Sequence, residues 1–266
     1  MSNASRHMAT FLSVREVTGP GFAALVHPEW AIAFPWLIQG TTTRVSGNDH
    51  PFDLGLFAKG SEPRSARGRW QTLRRYVGAD SVVHAQQVHG ADVRVCDASS
   101  PAECVDGPHL VAACDGHATG TPGVVVAVTV ADCVPVFLVD PGRRAVAAVH
   151  AGWRGVAAGI LERGMQVLHA SFGSRPEDLH VHLGPAICGA CYEVGPEVFE
   201  ALDQSVPAGP TPIDLRRVLG ERAALTGVRP ATITVSEHCT SCTDSELFSH
   251  RAGDGGRQAG YIGVRR

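Results

Sequence analysis

Gly123-Val-Val-Val-Ala-Val-Thr-Val-Ala-Asp-Cys-Val-Pro-Val-Phe-Leu-Val-Asp-Pro-Gly-Arg-Arg-Ala-Val-Ala-Ala-Val-His-Ala151 decides the fold class. Its β-branched runs predict three successive strands, Val124–Val130, Val134–Val139 and Ala145–Val149. Asp140-Pro141-Gly142-Arg143 has the composition of a hairpin turn between the last two. Strand following strand without an intervening helix argues against a doubly wound nucleotide-binding fold. It favours an α/β, more strictly α+β, chain in which mixed or antiparallel sheets carry helices on their outer faces. Asp132 and Pro135 interrupt the longest apolar stretch, 123–139, which is also too short for a membrane helix.

Working outward, further strands are predicted at Ala31–Ile38, Ser81–Val83, Val93–Cys96, His180–Leu183 and Thr232–Ser236. Amphipathic spacing predicts helices at Arg64–Val77, Gly155–Phe172, Tyr192–Leu202 and Leu215–Leu225. The stretch 206–212, rich in proline, looks like a loop between the last two helices. No repeat, low-complexity tract or domain boundary stands out, so residues 9–266 are expected to form one catalytic domain. Residues 1–8, small and polar, read as a cloning remnant.

The 266 residues are 44% hydrophobic and 18% charged, with a net charge of −3. That composition supports a buried core. The absence of a basic excess points away from nucleic acid and toward small molecules. With no signal peptide or membrane span visible, the eight cysteines (96, 104, 114, 133, 188, 191, 239 and 242) are expected to be reduced thiols or metal ligands in the cytoplasm.

Three segments place reactive side chains beside small residues near strand ends: Gln86-Gln87-Val88-His89-Gly90, Thr129 to Pro135 around Asp132-Cys133, and Ala147 to Gly155 around His150. Glycine neighbours let backbone, metal and substrate approach closely. Two imidazoles and a thiolate suit zinc, and three protein ligands leave a fourth position open, the catalytic pattern. A zinc ion would bring the pKa of its water to about 7. Copper also accepts these donors. His89, Cys133 and His150 lie 44 and 17 positions apart, matching no local zinc motif, so hydrogen-bonded core histidines and a buried thiol are the better reading of spacing alone.

QVHG, ADCVP and HAGWRG, in that order, resemble the laccase-domain family, the YfiH-type or multicopper polyphenol oxidoreductase-like proteins. The resemblance continues through Leu183-Gly-Pro-Ala-Ile-Cys188, Cys191-Tyr-Glu-Val-Gly195, Cys239-Thr240, Phe248-Ser-His-Arg251 and Gly256-Arg-Gln-Ala-Gly260, spanning roughly residues 35–266. It implies a four-layer α/β/β/α fold and metal ligation by His89, Cys133 and His150. It also implies purine nucleoside chemistry: phosphorolysis of adenosine, inosine and methylthioadenosine with phosphate, and deamination of adenosine to inosine. Deamination has a direct physical account, in which activated water attacks C6 while an acid or base moves the proton. Asp132, Asp115 and Glu193 are candidates for that shuttle, and Asp132 could instead orient a ligand. Arg44, Arg154 and Arg251 are the candidate phosphate contacts, with surface ion pairing the alternative for each. The protein is expected to act as a monomer or homodimer. Two positions depart from the family pattern: Asp53 stands where asparagine is usual, and His250 where tyrosine is usual.

Two readings of the same residues compete with the nucleoside enzyme. One is a cysteine hydrolase or amidase acting on a peptidoglycan precursor, with Cys133 as nucleophile and His150 or His89 as base. The other is copper-dependent phenol oxidation. Cys188-x-x-Cys191 and Cys239-x-x-Cys242 resemble halves of a zinc ribbon, but 47 residues separate them, far more than the usual spacing of about 15–20. Gly253 to Arg257 is expected to be a surface turn.

Overall fold

The computed structural model describes residues 11–48, 50–57, 63–99 and 107–266. The expected remnant at 1–8 and Cys104 lie outside them. Two seven-stranded sheets dominate. The first runs Leu12–Val14, Ile233–Ser236, His180–Leu183, Val134–Asp140, Ala145–Ala151, Gly116–Thr119 and Val93–Val95. The second runs Val17–Thr18, Ala24–Val26, Leu37–Thr42, Gln258–Val264, Val124–Val130, Ser81–Ala85 and His109–Val111. Each mixes parallel and antiparallel pairs.

The hairpin forms as expected, pairing Asp140 with Ala145 and Val134 with Ala151. The preceding strand, Val124–Val130, belongs to the other sheet. Ala131, Asp132 and Cys133 are therefore a crossing between sheets, with Asp132 at φ 85°. Side chains alternate along each strand, which explains why all three runs are apolar throughout: both faces are covered. Val124, Val126, Val128 and Val130 meet Phe137, Val139, Val146 and Ala148 between the sheets. On the far face of the second sheet, Val125 and Ala127 pack with Ala66, Trp70 and Leu73 of the helix Pro63–Val77. On the far face of the first, Val136, Leu138, Ala147 and Val149 pack with Ile160, Leu161 and Leu168 and with Leu219 and Ala223. These belong to the helices Ile160–Phe172 and Leu215–Leu225. The order is helix, sheet, sheet, helix. Each fully buried leucine or valine contributes about 1.5–3 kcal/mol to holding it.

Three predicted elements need correction. Ala31–Ile38 is not one strand. His27 caps a helix at Pro28–Ala33 through its ring nitrogen and Trp30 N–H, and the strand begins at Leu37. Gly155–Phe172 is two helices, Trp153–Ala157 and Ile160–Phe172, because Gly159 takes a left-handed φ of 81°. The predicted helix at Tyr192 starts only at Pro196, a proline that suits the first helical position, while Glu193–Val194 pairs with Thr211–Pro212.

Candidate metal centre

His150 lies in the hairpin's second strand, opposite Pro135. Cys133 immediately precedes the first strand, one step beyond the last ladder pair, Val134 and Ala151, and so faces Gly152. A Cβ on Gly152 would sit 2.9 Å from Cys133 Sγ and 3.1 Å from His89 Cδ2, so only glycine leaves this space open. His89 arrives from the second sheet, four residues beyond the strand Ser81–Ala85, at φ 58°. Donor atoms of His89, Cys133 and His150 all lie within 4.8 Å of one another.

The loop that carries His89 is held at two points. The Gln87 side chain accepts from Thr129 N–H and donates to Thr129 C=O, at 2.7 and 2.8 Å. Asp115, fully buried, accepts the backbone N–H groups of Val88, His89 and Gly90 at 3.1, 2.9 and 2.8 Å. The same carboxylate lies 2.8 Å from His150 Nδ1, and Asp115 C=O accepts His150 N–H at 2.7 Å. With Nδ1–H directed at a carboxylate, His150 is left with Nε2 as its free electron pair. Asp115 thus orients both histidines at once.

Burial works against a charge on Cys133, but the neighbouring His150 charge and hydrogen bonds from His150 and His89 outweigh it and hold the thiol well below its usual range. His150 moves the opposite way: burial opposes protonation, while Cys133 and Asp115 favour it more strongly. The pair therefore favours thiolate beside imidazolium when no cation is present.

A cavity of about 280 Å³ opens onto these residues, lined also by Gly55, Leu56, Phe57, His250 and Arg257. Tyr192 stands nearby. Burial raises its hydroxyl to about 12, and Cys133, Arg251, Asp132 and Arg154 all act on it, so these groups surround one spot.

The four other expected site residues divide. Asp132 is buried, but its oxygens accept Thr240 Oγ1–H at 2.6 Å and Arg251 N–H at 2.7 Å, so it braces the crossing. Arg44 does not reach the cavity: it pairs with Asp254 at 2.7 Å, donates to Leu247 C=O and covers the Phe248 ring. Arg251 donates to Glu193 C=O and lies over Tyr192. Arg154 is exposed, with its guanidinium 4.2 Å over Trp153. The sequence pointed to Asp115 only as a shuttle and missed Gln87 and Arg257. Their work is done through backbone partners, which composition does not mark. Asp53 uses one oxygen to accept Gly55 and Arg257 N–H groups, a task asparagine's oxygen performs equally.

The family model described as multi-copper polyphenol oxidoreductase laccase matches residues 39–265. The chain belongs to that family. A purine nucleoside phosphorylase, YlmD, from Geobacillus stearothermophilus is 36% identical over 252 residues, covering 87% of this chain and 92% of its own. An adenosine deaminase, RL5, from an unknown prokaryotic organism is 34% identical over 187 residues, covering 66% and 71%. The crystal structure of Geobacillus YlmD superposes with a TM-score of 0.83 at 28% identity, covering 95% of this chain and all of that one. With such relatives, this member of the laccase family is an enzyme. Among the described residues no helix is long and apolar enough to cross a membrane.

Proposed function

We propose that this protein is a zinc-dependent purine nucleoside enzyme. It would cleave adenosine, inosine and methylthioadenosine with phosphate to the free base and (methylthio)ribose 1-phosphate, and deaminate adenosine to inosine. The observation that carries the reading is the convergence of His89, Cys133 and His150 on one cavity, in a chain whose relatives are named for these two reactions. The donor set and the space above Gly152 fit a single borderline-soft cation. When bound there, zinc supplies Lewis acidity and an acidified water.

The chain's own residues do the rest. Asp115 keeps the His150 proton on Nδ1, so the imidazole stays a ligand. Arg154, whose guanidinium only covers Trp153, and Arg257 at the cavity wall are the cations available to a phosphate. His250, in place of the usual tyrosine, lines the same cavity and offers ring nitrogens for a hydrogen bond to the substrate. Thiolate donors require a reducing compartment, which supports a cytoplasmic location. The core shared by both sheets supports treating 9–266 as one catalytic domain.

The test is adenosine incubated with pure protein, with and without phosphate, before and after metal removal, and read by mass spectrometry. Phosphate-dependent adenine, or inosine without phosphate, should vanish on stripping and return with zinc. Cys133→Ser should lose metal and activity together.

One observation favours a second reading. Asp115, His150 and Cys133 stand in the order of an orienting acid, a base and a nucleophile. Metal-independent amide cleavage with a covalent adduct on Cys133 would decide for it.

A further inference from the structure

The fold brings together two cysteine pairs that 47 residues of sequence keep apart. The strands His180–Leu183 and Ile233–Ser236 are parallel neighbours, so the loops leaving them emerge side by side. Ala186 and Cys239 continue the pairing as an isolated bridge. Cys188 and Cys191 ride on one loop, Cys239 and Cys242 on the other. All four sulfurs lie within 4.8 Å of one another.

We propose that Cys188, Cys191, Cys239 and Cys242 bind a second divalent cation of zinc type, in a closed all-thiolate site that fastens these two loops together. At a zinc–sulfur bond of about 2.3 Å, a tetrahedron sets its sulfurs about 3.8 Å apart. Cys242 Sγ lies 3.9 Å from Cys188 Sγ and 3.7 Å from Cys191 Sγ. Those separations suit a shared cation and are far from a disulfide bond of about 2.05 Å. Backbone N–H groups of Cys188 and Ser241 point at Cys239 Sγ at 3.2 and 3.4 Å, the pattern that supports a ligating thiolate in a tight turn. Four protein donors leave no open position, so the site is structural.

Its effect reaches the neighbouring cavity. Cys239 precedes Thr240, which donates to Asp132 beside Cys133, and Cys191 precedes Tyr192. The clip therefore braces the segments around Asp132 and Tyr192, next to Cys133, without lining the cavity itself.

The experiment is metal content per chain by native mass spectrometry after purification with zinc and reductant. Wild type should carry two zinc ions and Cys133→Ser one. Adding Cys191→Ser and Cys242→Ser to Cys133→Ser should leave none. A Cys133→Ser protein that is folded by circular dichroism yet zinc-free overturns the proposal, whatever the fate of activity. If the triple variant does not fold, cobalt-loaded Cys133→Ser decides instead: the intense visible bands of tetrahedral tetrathiolate cobalt support the site, and their absence overturns it. A denatured, alkylation-blocked wild type that lacks four hydrogens, having formed two disulfides among these cysteines under reductant, also overturns it.

Discussion

Asp115→Asn changes one atom at the point where both histidines are anchored. The carboxylate now accepts four donors: Oδ1 serves His89 N–H and His150 Nδ1, and Oδ2 serves Val88 and Gly90 N–H. An amide has one accepting oxygen. Whichever way it turns, its NH₂ group faces two donors in a fully buried position. A hydrogen bond to a charged group contributes about 1.5–3 kcal/mol, so losing two costs about 3–6 kcal/mol. Set against a total stability of about 5–15 kcal/mol, the variant should fold but unfold at distinctly lower denaturant. His89 and His150 also lose their orientation, and under the proposed metal site such a loss weakens affinity about 10–100-fold. Competition against a chromophoric chelator measures the second effect, and guanidinium titration by circular dichroism the first. Wild-type zinc affinity together with an unchanged midpoint would refute the role assigned to Asp115.

Gly152→Ala should cut activity and metal occupancy about a hundredfold, because its methyl group would displace Cys133 Sγ and the His89 ring; isothermal titration with zinc and a nucleoside assay check it. In stripped protein, Cys133 alkylation by iodoacetamide should rise with pH through about 6, since the thiol is protonated below that value and thiolate above it. Cys96 and Cys114, which burial pushes up to about 12 and about 11, should stay unreactive at neutral pH. A rise centred near 9, read by peptide mass mapping, would contradict the Cys133–His150 coupling. Trp70→Ala should cost about 3–5 kcal/mol, measured by chemical denaturation, because the fully buried indole also donates to Leu54 C=O beside the cavity wall at Gly55.

Much of this was legible in the chain. The apolar runs at 124–130 and 134–139 announce strands buried on both faces, and His180–Leu183 and Leu215–Leu225 fall where alternation and amphipathicity put them. Periodicity says nothing about which sheet a strand joins, so the crossing at Asp132 was invisible. Asp115 could not be singled out because its partners are backbone N–H groups 25–27 positions away. Arg44, Arg154 and Arg251 look alike in sequence; only the carboxylate of Asp254 and the rings of Trp153 and Tyr192 tell them apart. The two CxxC pairs seemed too distant to cooperate, since linear spacing cannot register that His180–Leu183 and Ile233–Ser236 are neighbours.

His89 hangs on a loop leaving one sheet, His150 lies in a strand of the other, and Cys133 sits on the strip of chain between them. The distance between donors is consequently a readout of how the two sheets are seated on one another. A change of side-chain volume at Val126, Phe137 or Ala148 would shift one layer over the other and change how those three donors meet. Selection can therefore tune the reactivity of this centre from within the core, leaving His89, Cys133 and His150 untouched.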